Sequence, residues 1–100
     1  MKKLIELHYL ATRGGYVAIR DGSRPSSIVS QRIYEGETGA PVHALPKRGM
    51  VFSGWSDGVK SNPRSDVAKQ KMEVYACFQS KYWFGRLFRR IFRCPRVTHA

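Results

Sequence analysis

The chain has 100 residues, 42% of them hydrophobic and 12% aromatic, which fits one globular domain with a modest core and excludes a chain that is disordered throughout. Its formal net charge is +11, from 18 Lys and Arg against 7 Asp and Glu, a balance that favours anionic partners such as nucleic acid, an acidic membrane or an acidic protein face. The excess is uneven: residues 1–80 carry +5, whereas residues 81–100 hold six Lys or Arg and no acid.

At the N-terminus, Lys2 and Lys3 are followed by Glu6 and His8 instead of an apolar run, which is not the pattern of a signal peptide. No stretch approaches the ~20 apolar residues of a membrane span. The expected location is therefore cytoplasmic, or peripheral at a membrane surface. Residues 4–11 alternate, with Ile5, Leu7 and Tyr9 on one face and Leu4, Glu6, His8 and Leu10 on the other, which predicts a half-buried strand. Arg13-Gly14-Gly15 predicts a turn, and Tyr16 to Arg20 the return strand of a first hairpin. Asp21 to Ser27 is a loop rich in Gly, Ser and Pro. Ile28 to Tyr34 alternates again, Glu35 to Gly39 is a second turn region, and Pro41 and Pro46 confine the short extended piece at 41–45 to an edge or a strand end.

Residues 49–58, Gly-Met-Val-Phe-Ser-Gly-Trp-Ser-Asp-Gly, predict a central strand closed by an Asp57-Gly58 turn. Phe52 and Trp55 differ in parity and should point to opposite faces. A bulge at Gly54 would swing Trp55 to the side of Phe52. Residues 57–71 have little apolar content and read as a long loop, with the option of a helical turn after Asp66 as its N-cap. Met72, Val74, Ala76 and Phe78 form the apolar face of a last strand, opposite Glu73, Tyr75 and Cys77. The expected structural core residues are Phe52, Gly54, Trp55, Asp57, Gly58, Val74, Ala76 and Phe78.

Residues 82–93, Tyr-Trp-Phe-Gly-Arg-Leu-Phe-Arg-Arg-Ile-Phe-Arg, change character. Phe84, Leu87, Phe88, Ile91 and Phe92 fall at helical spacing, with Arg86, Arg89, Arg90 and Arg93 mainly opposite, which predicts a basic amphipathic helix stopped by Pro95. Three uses of that helix stay open. It can pack on the sheet, lie in an anionic membrane interface, or set arginines on phosphates and aromatics on bases. Free thiols are expected at Cys77 and Cys94 in a reducing compartment; in an oxidising one a Cys77–Cys94 bridge would pin the tail to the sheet.

The run Phe52-Ser53-Gly54-Trp55-Ser56-Asp57-Gly58 stands in an ordered set of pieces. Leu7-His8-Tyr9-Leu10-Ala11, the Gly14-Gly15-Tyr16 turn, the 30–39 segment and Val42-His43-Ala44-Leu45-Pro46 precede it. Ser61-Asn62-Pro63-Arg64-Ser65-Asp66 and Val74-Tyr75-Ala76-Cys77-Phe78 follow. As a set they resemble the internalin B-repeat family in its divergent bacterial-repeat form, in a single copy covering about residues 4–79. The resemblance implies a small, mostly β, β-grasp-like module, used in tandem on bacterial surface proteins as a spacer or a binding module. The basic tail lies outside it.

Gly54-Trp55-Ser56-Asp57-Gly58 also matches the Gly-x-Ser-x-Gly pattern of hydrolases, with Asp66 and His99 following in order. The nucleophile elbow requires a helix directly after the serine, and the Gly-, Ser-, Asn- and Pro-rich residues that follow Ser56 do not build one. His8, His43, His99, Cys77 and Cys94 lack the close spacing of zinc ligands, so no metal, cofactor or catalytic residue is assigned and the protein is not expected to be an enzyme. The expected architecture is mainly β: a β-grasp-like twisted antiparallel sheet of about five strands over residues 1–80, and a tail at 81–100 with the basic helix. The expected function is a small basic binding module for an acidic macromolecule, with a protein partner first and nucleic acid or an anionic membrane as alternatives. Its contacts are assigned to Lys47, Arg48, Lys81, Trp83, Arg86, Arg89, Arg90 and Arg93. Self-association through a strand edge is a further expectation.

Overall fold

The computed structural model describes residues 2–19 and 24–81. The predicted helix at 82–93, with Trp83, Arg86, Arg89, Arg90 and Arg93, lies outside them. Six strands are formed: β1 (Leu4–Ala11), β2 (Gly15–Ala18), β3 (Ile28–Tyr34), β4 (His43–Pro46), β5 (Met50–Trp55) and β6 (Met72–Ser80). The alternation read in β1, β3 and β6 is what places them. Leu7 and Tyr9 of β1, Val29 of β3 and Val74, Ala76 and Phe78 of β6 all turn to one side and are buried there.

The mainly β expectation holds, but the arrangement is not a single antiparallel sheet of about five strands. There are two sheets, one of four strands in the order β3-β1-β6-β5 and one of two, β2-β4. The first and last strands pair in parallel, Leu7 opposite Met72 and Ala11 opposite Ala76, and the other pairings are antiparallel. The expected first hairpin is not formed. β1 is flanked by β3 on one side and β6 on the other, so its hydrogen-bonding edges are taken and β2 must leave the sheet. β2 pairs with β4, and Val17, Val42 and Ala44 close the core from that side.

Residues 50–55 form an edge strand and not the central one. The bulge anticipated at Gly54 is present: the register of β5 on β6 shifts between Phe52 and Gly54, and Gly54 has φ +139°. The extra residue brings Trp55 to the side of Phe52, with ring centroids 5.5 Å apart at 64°. Trp55 is buried, and its indole N–H donates to Ser61 O at 2.9 Å. Phe52 is only partly buried and packs against the core, while Asp57 and Gly58 lie outside it in the turn that ends β5. Lys60 folds back across the bulge, donating from Nζ to Ser53 O at 3.0 Å, which puts a charge at this edge.

The long loop at 57–71 has no helical turn. Two amides lend it and its neighbours a substitute for strand pairing. Asn62 accepts from Ala44 N through Oδ1 and donates from Nδ2 to Ala44 O; Gln31 does the same with the N and O of Ala40. Each satisfies a backbone residue that no strand pairs in that direction.

Candidate functional site

Three separate segments meet at one end of the molecule. The Thr12–Gly15 turn, the Lys47–Gly49 turn and the C-terminal end of β6 are tied by backbone bonds, Lys47 N to Gly14 O and Lys81 N to Gly49 O, both 2.8 Å. The β2–β4 register adds Gly15 opposite Pro46 and Tyr16 opposite Leu45. The join needs small residues: a Cβ on Gly15 would sit 2.3 Å from the Phe78 ring, so this turn lies directly on the core.

Each segment carries exposed basic residues to that end: Arg13 from the first turn, Lys47 and Arg48 from the second, and Lys81 after β6. The Lys47 ammonium stands 5.1 Å from the centre of the Tyr16 ring, which is 40% exposed. Among the described residues the ion pairs are Glu6 with His8 and Arg32, and Arg64 with Asp57 and Asp66. Arg13, Lys47, Arg48 and Lys81 take part in none of them, so their charge faces outward uncompensated at short range. Lys47, Arg48 and Lys81 were expected partner contacts, and the fold brings these three together. Arg13 and Tyr16 were read only as parts of a hairpin. The signal that could have found them is a basic residue placed just before a turn glycine in both Arg13-Gly14 and Arg48-Gly49.

A second polar cluster lies in the loop at 57–71 and was not foreseen. Arg64 is buried, and its guanidinium bonds both oxygens of Asp57 at 2.9 Å and both oxygens of Asp66 at 2.9 and 2.6 Å. It faces the ring of Trp55, 5.3 Å to the centroid, and Tyr9 OH donates to Asp66 at 2.7 Å. Asp66 therefore clamps the loop instead of capping a helix. Burial acts to raise the Asp57 carboxyl, but the Arg64 hydrogen bonds and charge outweigh it and hold its pKa below the ordinary value. Burial opposes the Arg64 charge, yet the bonds from Asp57 and Asp66 hold its pKa above the ordinary value. The Tyr9 hydroxyl is pushed up, first by burial and then by its bond to Asp66.

This cluster backs an open pocket of about 200 Å³, lined by Leu7, Asp57, Asp66, Lys69, Met72 and Val74. Both carboxylates are held by Arg64, which ties them to a structural role. The Gly-x-Ser-x-Gly match is likewise structural: Ser56 Oγ accepts from Tyr75 N at 2.9 Å, and Asp66 is committed to Arg64 and Tyr9. Elsewhere, His8 Nδ1 lies 2.8 Å from Ser30 Oγ on the sheet's outer face. Among the described residues no group of three or more His, Cys, Asp or Glu could hold a metal ion, and no helix is long and apolar enough to cross a membrane. Free thiols had been expected, but Cys77 is disulfide-bonded; Cys94 lies outside the described residues.

No protein-family model, curated protein or solved structure matches the chain.

Proposed function

We propose that the protein is a non-enzymatic binding module whose basic end, Arg13, Lys47, Arg48 and Lys81, engages an acidic protein surface. The observation that carries this reading is the convergence of four exposed cations from three segments, none in an ion pair among the described residues. Such an array raises the association rate with an acidic face and fixes its orientation. Residues 82–100, which follow Lys81 in the sequence, carry five further arginines and no acid. The likeness to B-repeat modules points the same way, towards binding and away from catalysis. Self-association would use the outer edge of β3, where Ile28 and Tyr34 are exposed; concentration-dependent light scattering tests it.

One observation favours a second reading, nucleic acid. Tyr16 offers an exposed ring beside Lys47, a pairing suited to stacking a base next to a phosphate contact. Titration calorimetry with polyglutamate, a thymidine-only DNA strand and phosphatidylserine vesicles separates the readings. The expected result is binding of polyglutamate that falls at least tenfold in the variant Arg13→Glu, Lys47→Glu, Arg48→Glu, Lys81→Glu. Preference for the DNA strand, with a salt slope of about −3 from four phosphate contacts and loss in Tyr16→Ala, would establish the second reading instead. Vesicle binding alone would make the module a membrane binder, and silence with all three probes would end the proposal.

A further inference from the structure

The two edges of the four-stranded sheet are finished differently. β5, at one edge, has Lys60 folded across its bulge onto Ser53 O. β3, at the other, is open in its middle. Glu35 N bonds Lys3 O at one end of the β1–β3 register and Ala11 N bonds Ser27 O at the other. Antiparallel bonding alternates, so Val29, Gln31 and Ile33 face β1, and the N–H and C=O groups of Ile28, Ser30, Arg32 and Tyr34 point outward. Local bonds close the ends of that row. Ser26 Oγ donates to Ile28 O at 2.9 Å and accepts from Ile28 N at 3.3 Å, and Glu37 N donates to Tyr34 O at 2.9 Å. Between them, the main-chain groups of Ser30 and Arg32 meet no partner on that side among the described residues. The Arg32 side chain does not guard them, since it turns to Glu6 on β1, 3.6 Å away. Ile28 and Tyr34, on the same face as Ser30 and Arg32, are 47% and 48% exposed.

We propose that a second copy of the chain occupies this edge, its β3 laid antiparallel across a two-fold axis at Gln31. The inference rests on the self-association named above and adds its register. Other registers also bring outward groups together, but each fails. Centred on Arg32, two arginines face each other. Centred on Ser30, Arg32 faces Ile28, whose main chain Ser26 already closes. Centred on Gln31, Ser30 of each copy exchanges both main-chain bonds with Arg32 of the other, and Ile28 lies opposite Tyr34 as an apolar cross-strand pair. The two four-stranded sheets become one. The basic ends are sent to opposite ends of the joined sheet, so a dimer offers its cations to two acidic partners. The contact is small, which makes the association weak. Two copies of charge +11 repel, so added salt strengthens the dimer, the reverse of its effect on polyglutamate binding.

Sedimentation equilibrium of the full chain over a concentration series tests it. The expected result is a monomer–dimer equilibrium that tightens with salt. Ser30→Lys, which sets a cation opposite Arg32 of the other copy, should weaken the dimer at least tenfold. Ser30→Glu should tighten it at least threefold, whereas Ser65→Glu, the same charge change at an exposed site of the long loop, should leave it unaltered. Equal weakening by both Ser30 variants would place Ser30 opposite itself and overturn the register. A dimer abolished by dithiothreitol is a bridge between cysteines, and would overturn the pairing. A monomer at every concentration would do the same, while polyglutamate binding by that monomer would leave the basic end standing. A salt-tightened dimer indifferent to polyglutamate would support the pairing and sink the basic end.

Discussion

Arg64 is where the long loop is held, and removing it leaves two carboxylates facing a buried void. Arg64→Ala should lower the unfolding free energy by ~3–5 kcal/mol, measured by urea titration, because the cost is that of uncompensated charge. Asp57 gives this cluster a pH dependence. Its pKa lies below its unfolded value, so its contribution is fully present above about pH 4 and is lost as pH falls through the folded value. The urea midpoints of the wild type and Asp57→Asn should therefore differ at pH 6 and converge at the acid end. Trp55→Ala, which empties a buried indole site and orphans Ser61 O, should cost ~3–5 kcal/mol by the same assay. Trp55 was legible in the sequence as a core residue because the glycine before it allowed a bulge. Arg64 was not, because nothing in its neighbours is apolar: its burial comes from Tyr9 and Trp55, which are remote in sequence.

At the scale of elements, strand positions were legible wherever one face alternates. β1, β3 and β6 start and end close to the expected limits because a period of two is imposed by burial on one side. Partners were not legible. Arg13-Gly14-Gly15 reads locally as a hairpin turn, yet its glycines are there to let the turn lie on Phe78, and the strand after it joins β4. Gly15→Ala should therefore destabilise by ~1–3 kcal/mol, since its Cβ would enter the Phe78 ring. In a Phe78→Leu background the same change should cost less, and the double-mutant cycle reads the coupling directly. The basic end shares this history. Its residues are visible in the sequence, but their meeting depends on the β2–β4 pairing, which local pattern does not report.

At the scale of the whole chain, the exposed charge of the described residues is unevenly mixed: Arg13, Lys47, Arg48 and Lys81 gather at the turn end of β1, whereas Glu35 and Glu37 beyond its other end share that end with Lys2, Lys3 and Lys69. A field of this kind orients an approaching acidic partner before contact. Its effect belongs to the rate of association, so added salt should slow binding of polyglutamate more than it speeds release, as stopped-flow mixing would show.

The parallel pairing of β1 with β6 has a consequence for how the protein comes into being. A chain leaves the ribosome N-terminus first, and β1 emerges with both of its neighbours still unmade, β6 the last strand of all. Leu7 must wait for Met72. Until then β1 and β3 form at most an isolated hairpin, which is marginal in water, and the bulged edge of β5 has no strand to lean on. Synthesis stalled before residue 72 should leave a nascent chain open to protease along its whole length. Once β6 has cleared the ribosome, the chain should close in one step, on the millisecond-to-second scale of folds built from distant contacts.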